Sequence, residues 1–128
     1  MLFTVTNLEN QENHIIVSGY TQTGNLKGIW NADSIIPVIG KSYQIELDFG
    51  IVERADVHIV KNVPAGSEIV GDSVRFTALC ESIDEIYFLR FSFDGLEMLE
   101  LRNDDFTIQI NDFLSFSLPF QQVGIYPY

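Results

Sequence analysis

Two histidines, a single cysteine and two adjacent carboxylate pairs are the residues of this chain whose chemistry could reach beyond packing. His14 and His58 lie far apart in sequence, and neither has a second His or Cys at metal-ligand spacing. A zinc site takes three or four ligands, and Cys80 alone cannot open a ribbon or finger, so neither a metal nor any other cofactor is expected. His14 reads as the start of a strand and His58 as a residue within one. Cys80 with His58, or a serine with histidine and aspartate, could in principle make a nucleophilic set. Such sets are recognised by geometry, however, and no nucleophile-elbow glycine pattern surrounds any serine here. Cys80 reads instead as a small buried hydrophobe at a strand end.

The pairs Asp84-Glu85 and Asp104-Asp105 raise the question of glycosidase chemistry, which uses two carboxylates. Neighbours on a strand point to opposite faces, and neither pair sits in an apolar setting that would raise one pKa. They read as solvated loop acids. Asn103-Asp104-Asp105 also lacks the extended ligand series and terminal glutamate of a calcium loop. With no reaction class supported, a non-enzymatic protein is expected.

The distribution of charge says more than any pair. The 128 residues carry 18 Asp and Glu against 7 Lys and Arg, a formal charge of −11. From residue 81 to 105 run Glu81, Asp84, Glu85, Asp94, Glu97, Glu100, Asp104 and Asp105, against Arg90 and Arg102 alone. A surface of that sign repels phosphate backbones and anionic membranes, so neither nucleic acid nor membrane is an expected partner. It attracts a basic protein and speeds encounter with it, although the same charge could serve solubility alone. Interface hot spots favour aromatic and arginine anchors within polar rims, which adds Trp30, Tyr87, Phe88 and Arg90 to the partner-binding candidates. Trp30, beside a loop, could anchor a partner or close a barrel end.

These residues must be positioned by strands. Tyr43, Ile45, Leu47 and Phe49 alternate with Gln44, Glu46 and Asp48, the two-residue period of a half-buried strand. The same period recurs at Val74, Phe76 and Ala78, and at Leu114, Phe116 and Leu118. Each of the three strands follows a Gly or Asn and a charged residue, Gly40-Lys41, Gly71-Asp72 and Asn111-Asp112, a pairing suited to tight turns with positive φ. Ile86 to Phe93, then Asp94-Gly95, then Leu96 to Leu101 reads as a hairpin. Tyr87, Leu89, Phe91 and Phe93 share one face there, and Ile86 and Phe88 the other, so the strand is expected to be central or covered. Further strands are expected at residues 14–20, 26–30, 56–60, 106–110 and 123–126. Short helical turns are expected at residues 31–36 and 81–85.

Eight or more short antiparallel strands and one or two helical turns make a single all-β domain, residues 1–128, built as a small barrel or sandwich. The hydrophobic share of 46% is ample for one core. No apolar run is long enough for a membrane helix, and Met1 to Thr6 has no basic or extended apolar leader pattern, so a soluble, cytoplasmic protein is expected.

The three turn-plus-strand entries, Gly71-Asp72 above all, resemble those of OB-fold and SH3-like small barrels. In size, charge and lack of a catalytic set the chain is similar to small acidic bacterial immunity proteins. That resemblance implies an OB-like barrel that neutralises a basic toxin such as a nuclease. The alternative is an assembly module that self-associates, as a homodimer, or joins a larger complex. It would do so through an aromatic face or through a strand edge such as Phe3-Thr4-Val5 or Ile125-Tyr126.

Overall fold

The alternation in residues 43–49 becomes a strand with Tyr43, Ile45 and Leu47 buried and Gln44, Glu46 and Asp48 in water. A computed structural model describes residues 1–61, 63–92 and 95–128. Its strands are β1 (Leu2–Gln11), β2 (His14–Thr21), β3 (Gly24–Trp30), β4 (Ser42–Asp48), β5 (Ile51–Glu53), β6 (His58–Val60), β7 (Gly66–Val70), β8 (Ser73–Asp84), β9 (Ile86–Ser92), β10 (Gly95–Arg102), β11 (Phe113–Pro119) and β12 (Gly124–Pro127). Among the described residues there is no α-helix, and single 3₁₀ turns occur at Arg54–Asp56 and Phe120–Gln122. The chain is all-β.

Five strands close a barrel in the order β1-β2-β3-β12-β4 and back to β1. The β3–β12 pair is parallel and the other four are antiparallel. Phe3, Val5, Leu26, Ile45 and Ile125 are fully buried on these strands. Closure removes edges: β1 is paired by β2 and β4, and β12 by β3 and β4. The terminal segments 3–5 and 125–126 are therefore not free for strand addition.

The remaining strands build a second sheet on β8. Its first half pairs with β7 and β11, its second half with β9, and β10 and β5 continue outward from β9. Phe76, Phe91 and Phe116 on this sheet pack around Phe49, which follows the barrel strand β4. Ring centroids lie 4.9 Å apart for Phe49 and Phe76 and 5.2 Å for Phe49 and Phe116, both edge-on. Burying each ring is worth roughly 1.5–3 kcal/mol, so one residue just past β4 ties the sheet to the barrel.

The barrel and sheet also meet where β3 touches β7, Gly24 opposite Ser67. A Cβ on Gly24 would overlap the Ser67 carbonyl oxygen, and one on Gly66 the Thr23 carbonyl oxygen, so both positions require glycine. Ser67 secures the seam, its amide donating to the Thr23 carbonyl at 3.3 Å and its hydroxyl to the Asn25 carbonyl at 2.6 Å.

Gly40, Gly71 and Asn111 all have positive φ, at 88°, 60° and 77°, as their turn chemistry requires. Other expectations are corrected. Residues 31–36 are irregular, and Glu81 to Asp84 extend β8 instead of coiling. Residues 106–110 form no strand, because side chains take up backbone N–H groups there: Asp104 from Phe106, Asp105 from Thr107 and Asp112 from Gln109. Phe93 and Asp94 lie outside the described residues, though β9 and β10 do pair antiparallel from Gly95 onward.

Candidate functional site: an acidic sheet end

β8, β9 and β10 run side by side, and their register brings together residues distant in sequence. Leu79 and Leu96 flank Arg90; Ser82 and Met98 flank Phe88; Asp84 pairs with Ile86. Glu100 follows two residues after Met98 on the same face and sits opposite Ile51 of β5. Opposed residues point the same way, so this outer face runs from Arg90 through an apolar middle to the carboxylates Asp84 and Glu100.

Glu81 occupies a bulge between Cys80 and Ser82. The bulge aims its carboxylate at Arg90, which donates from Nε at 3.1 Å and from a terminal guanidinium nitrogen at 2.8 Å, a bidentate pair. Asp84 and Glu85 form the β8–β9 corner. Both are exposed, and Glu85 takes the left-handed conformation, φ 61°.

Tyr87 lies on the opposite, inner face and is buried. Its hydroxyl donates to Asp104, fixing the loop after β10 against the sheet. Burial, and then the neighbouring Asp104 carboxylate, push the phenol well above its ordinary range. Asp105 accepts from the hydroxyl and amide of Thr107 and from Arg54 Nε at 3.0 Å. Those contacts, Thr107 first, hold its carboxyl below the usual range. Asn103 donates to Glu53, and Arg102 pairs with the same carboxylate. Asp84, Glu85, Glu100, Asp104 and Asp105 thus collect at one end of the sheet, with Glu81 and Arg90 further along its outer face.

Three other candidates stand differently. Trp30 is buried at the barrel end: its ring meets Tyr43 edge-on at 5.0 Å and its Nε1 donates to the Ile35 carbonyl at 2.8 Å beneath the 31–41 loop. Its partners include none of the acids. Glu97 points inward, 4% exposed, and accepts the Leu47 amide. Burial raises its pKa to about 7. Asp94 lies outside the described residues.

The inward turn of Glu97 puts Leu96 and Met98 in water, 43% and 57% exposed. The string Leu96-Glu97-Met98-Leu99-Glu100-Leu101 fits either facing, and the register with β9 and the β4 contact decide it, so these apolar positions were not marked by sequence. Phe106 was missed for another reason. It is 84% exposed in a left-handed conformation, φ 58°, where alternation had suggested a strand.

Positive charge is largely consumed within the molecule. Arg54, Arg75, Arg90 and Arg102 pair with Asp105, Glu68, Glu81 and Glu53. Lys27 and Lys41 sit over the rings of Phe120 and Tyr43. Asp84, Glu85 and Glu100 make no ion pair among the described residues.

His14 and His58 begin β2 and β6 and are both exposed, and no metal-holding cluster occurs among the described residues. His58 shares an open groove with Asp56, Arg75, Ser115 and Ser117, but no hydrogen bond joins the imidazole to either serine or to Asp56. Cys80 is fully buried, and burial, then Asp112, raise its thiol pKa. No protein-family model matches the chain, and no curated protein or solved structure matches it.

Proposed function

We propose that this is a non-enzymatic protein-binding domain that docks a basic protein through the acidic end of its β8–β10 sheet. Most concretely, it is an immunity-type protein that neutralises a basic toxin domain in the cytoplasm. One observation carries the proposal: the arginines are each engaged by a carboxylate, while Asp84, Glu85 and Glu100 make no ion pair among the described residues and collect at one end of the sheet. Fixed, uncompensated charge costs self-repulsion in the free protein and is relieved by a partner of opposite sign. The five-stranded barrel would act as scaffold, and an OB-like ancestry is compatible with its order, but the sign of the charge disfavours nucleic acid as the ligand.

The test is co-expression with a basic toxin domain encoded beside this chain, read as growth rescue and as a purified complex. Rescue that is lost with the double charge reversal Asp84→Lys and Glu100→Lys supports docking at this end. Absence of both complex and rescue contradicts it.

A further inference from the structure

We infer that the outer face of β8, β9 and β10 is the seat of an α-helix of the partner, amphipathic and cationic, with its apolar stripe laid along Phe88, Leu96 and Met98. This rests on the basic-partner proposal above and names the element that docks.

Facing comes first. On β10 Glu97 and Leu99 face inward, Glu97 bonded to the Leu47 amide, which leaves Leu96 and Met98 turned to solvent. Met98 stands opposite Phe88, itself half-buried, and Leu96 stands opposite Arg90, so the apolar residues are contiguous and not scattered.

The mode of docking follows from what surrounds the face. At the β10 edge β5 pairs with Glu100–Arg102, and on the inner side the Glu97 carboxylate reaches the Leu47 amide of β4. A ligand laid across the face meets the apolar residues of β9 and β10 together with the carboxylates that border them. Three strands set about 4.8 Å apart span roughly 10 Å, the width of one helix.

Charge selects the occupant. Asp84 and Glu100 border the apolar middle and make no ion pair among the described residues, while Arg90 at the other end is paired with Glu81. A helix with lysines or arginines flanking its apolar stripe places cations on those carboxylates. A second copy of this chain would bring like charge to the same border.

The probe is a helical peptide of about 18 residues built from leucine and lysine with one leucine face. Its controls are the same composition scrambled and the same pattern with glutamate for lysine. Each is titrated into the full-length isotope-labelled protein and followed through amide signals. Binding in the micromolar range is expected for the first peptide only, with shifts confined to β8, β9 and β10. It should weaken about tenfold or more in Met98→Asp and in Glu100→Lys, each variant checked for a native amide fingerprint. Equal binding of the scrambled peptide, shifts on another surface, dimerisation through this face, or no binding overturns the inference. Should a whole basic toxin domain bind, weaken on charge reversal and ignore Met98→Asp, the helix seat fails while the basic-partner proposal stands.

Discussion

Glu97 on β10 accepts the backbone amide of Leu47 on β4 at 3.0 Å, so a carboxylate of the outer sheet holds the wall of the barrel. The group is buried and its pKa is raised from 4.5 to about 7. A carboxyl with a raised folded-state pKa binds its proton more tightly in the native than in the unfolded chain. Its contribution is fully present below the unfolded value and is lost as pH rises through about 7.

From those two values the loss amounts to about 3 kcal/mol between acid and neutral pH. Glu97→Gln keeps an acceptor for the Leu47 amide and carries no charge. Urea denaturation at about pH 5 and about pH 8 is expected to show a wild type that loses stability and a variant that does not, leaving the variant the more stable above neutrality.

Phe106 is exposed and sits at φ 58°, where a bulky side chain crowds its own backbone. Its amide is anchored on Asp104, so the turn persists without the ring. Phe106→Gly should leave the melting temperature unchanged or raise it, by the equivalent of up to about 1 kcal/mol. A fall of several degrees would mean that the ring packs.

The seam between barrel and sheet has no such tolerance. Gly24→Ala forces its new methyl group into the Ser67 carbonyl at a backbone φ of +146°. A loss of about 2–4 kcal/mol is expected by chemical denaturation, against about 0.5 kcal/mol for the same change at an open position.

Tyr87→Phe removes the bond to Asp104 and leaves the ring in place. Stability should fall by about 1–2 kcal/mol, and hydrogen exchange should quicken selectively at residues 104–107. Uniform quickening would instead indicate a general loss of packing.

The strands legible from sequence were those whose facing is decided by composition. In β4, β8 and β11 one face is wholly apolar, so the pattern admits a single answer. The turns at Gly40, Gly71 and Asn111 were legible because positive φ leaves few residue types to choose from. β7 was hidden because Val63-Pro64-Ala65-Gly66-Ser67 has the composition of a loop, whereas Gly66 and Ser67 already belong to the strand at the seam. Residues 81–85 suggested a helical turn because their acids suit one, and the bulge at Glu81 with its Arg90 partner kept them extended. At the candidate site, sequence showed which acids were dense. It did not show that Glu97 turns inward and Leu96 and Met98 face water, which depends on a contact fifty residues away, or that Trp30 is held beneath the loop that follows it.

Salt dependence of binding puts the central claim most directly at risk. Affinity of the full-length protein for the basic toxin domain encoded beside it is measured by titration calorimetry at about 50 mM and about 500 mM salt, with wild type and with Glu100→Lys. A complex that weakens at least about tenfold across that range, and already at low salt in the variant, is predicted. A complex indifferent to both salt and charge reversal, or no complex at all, would contradict an acidic docking surface.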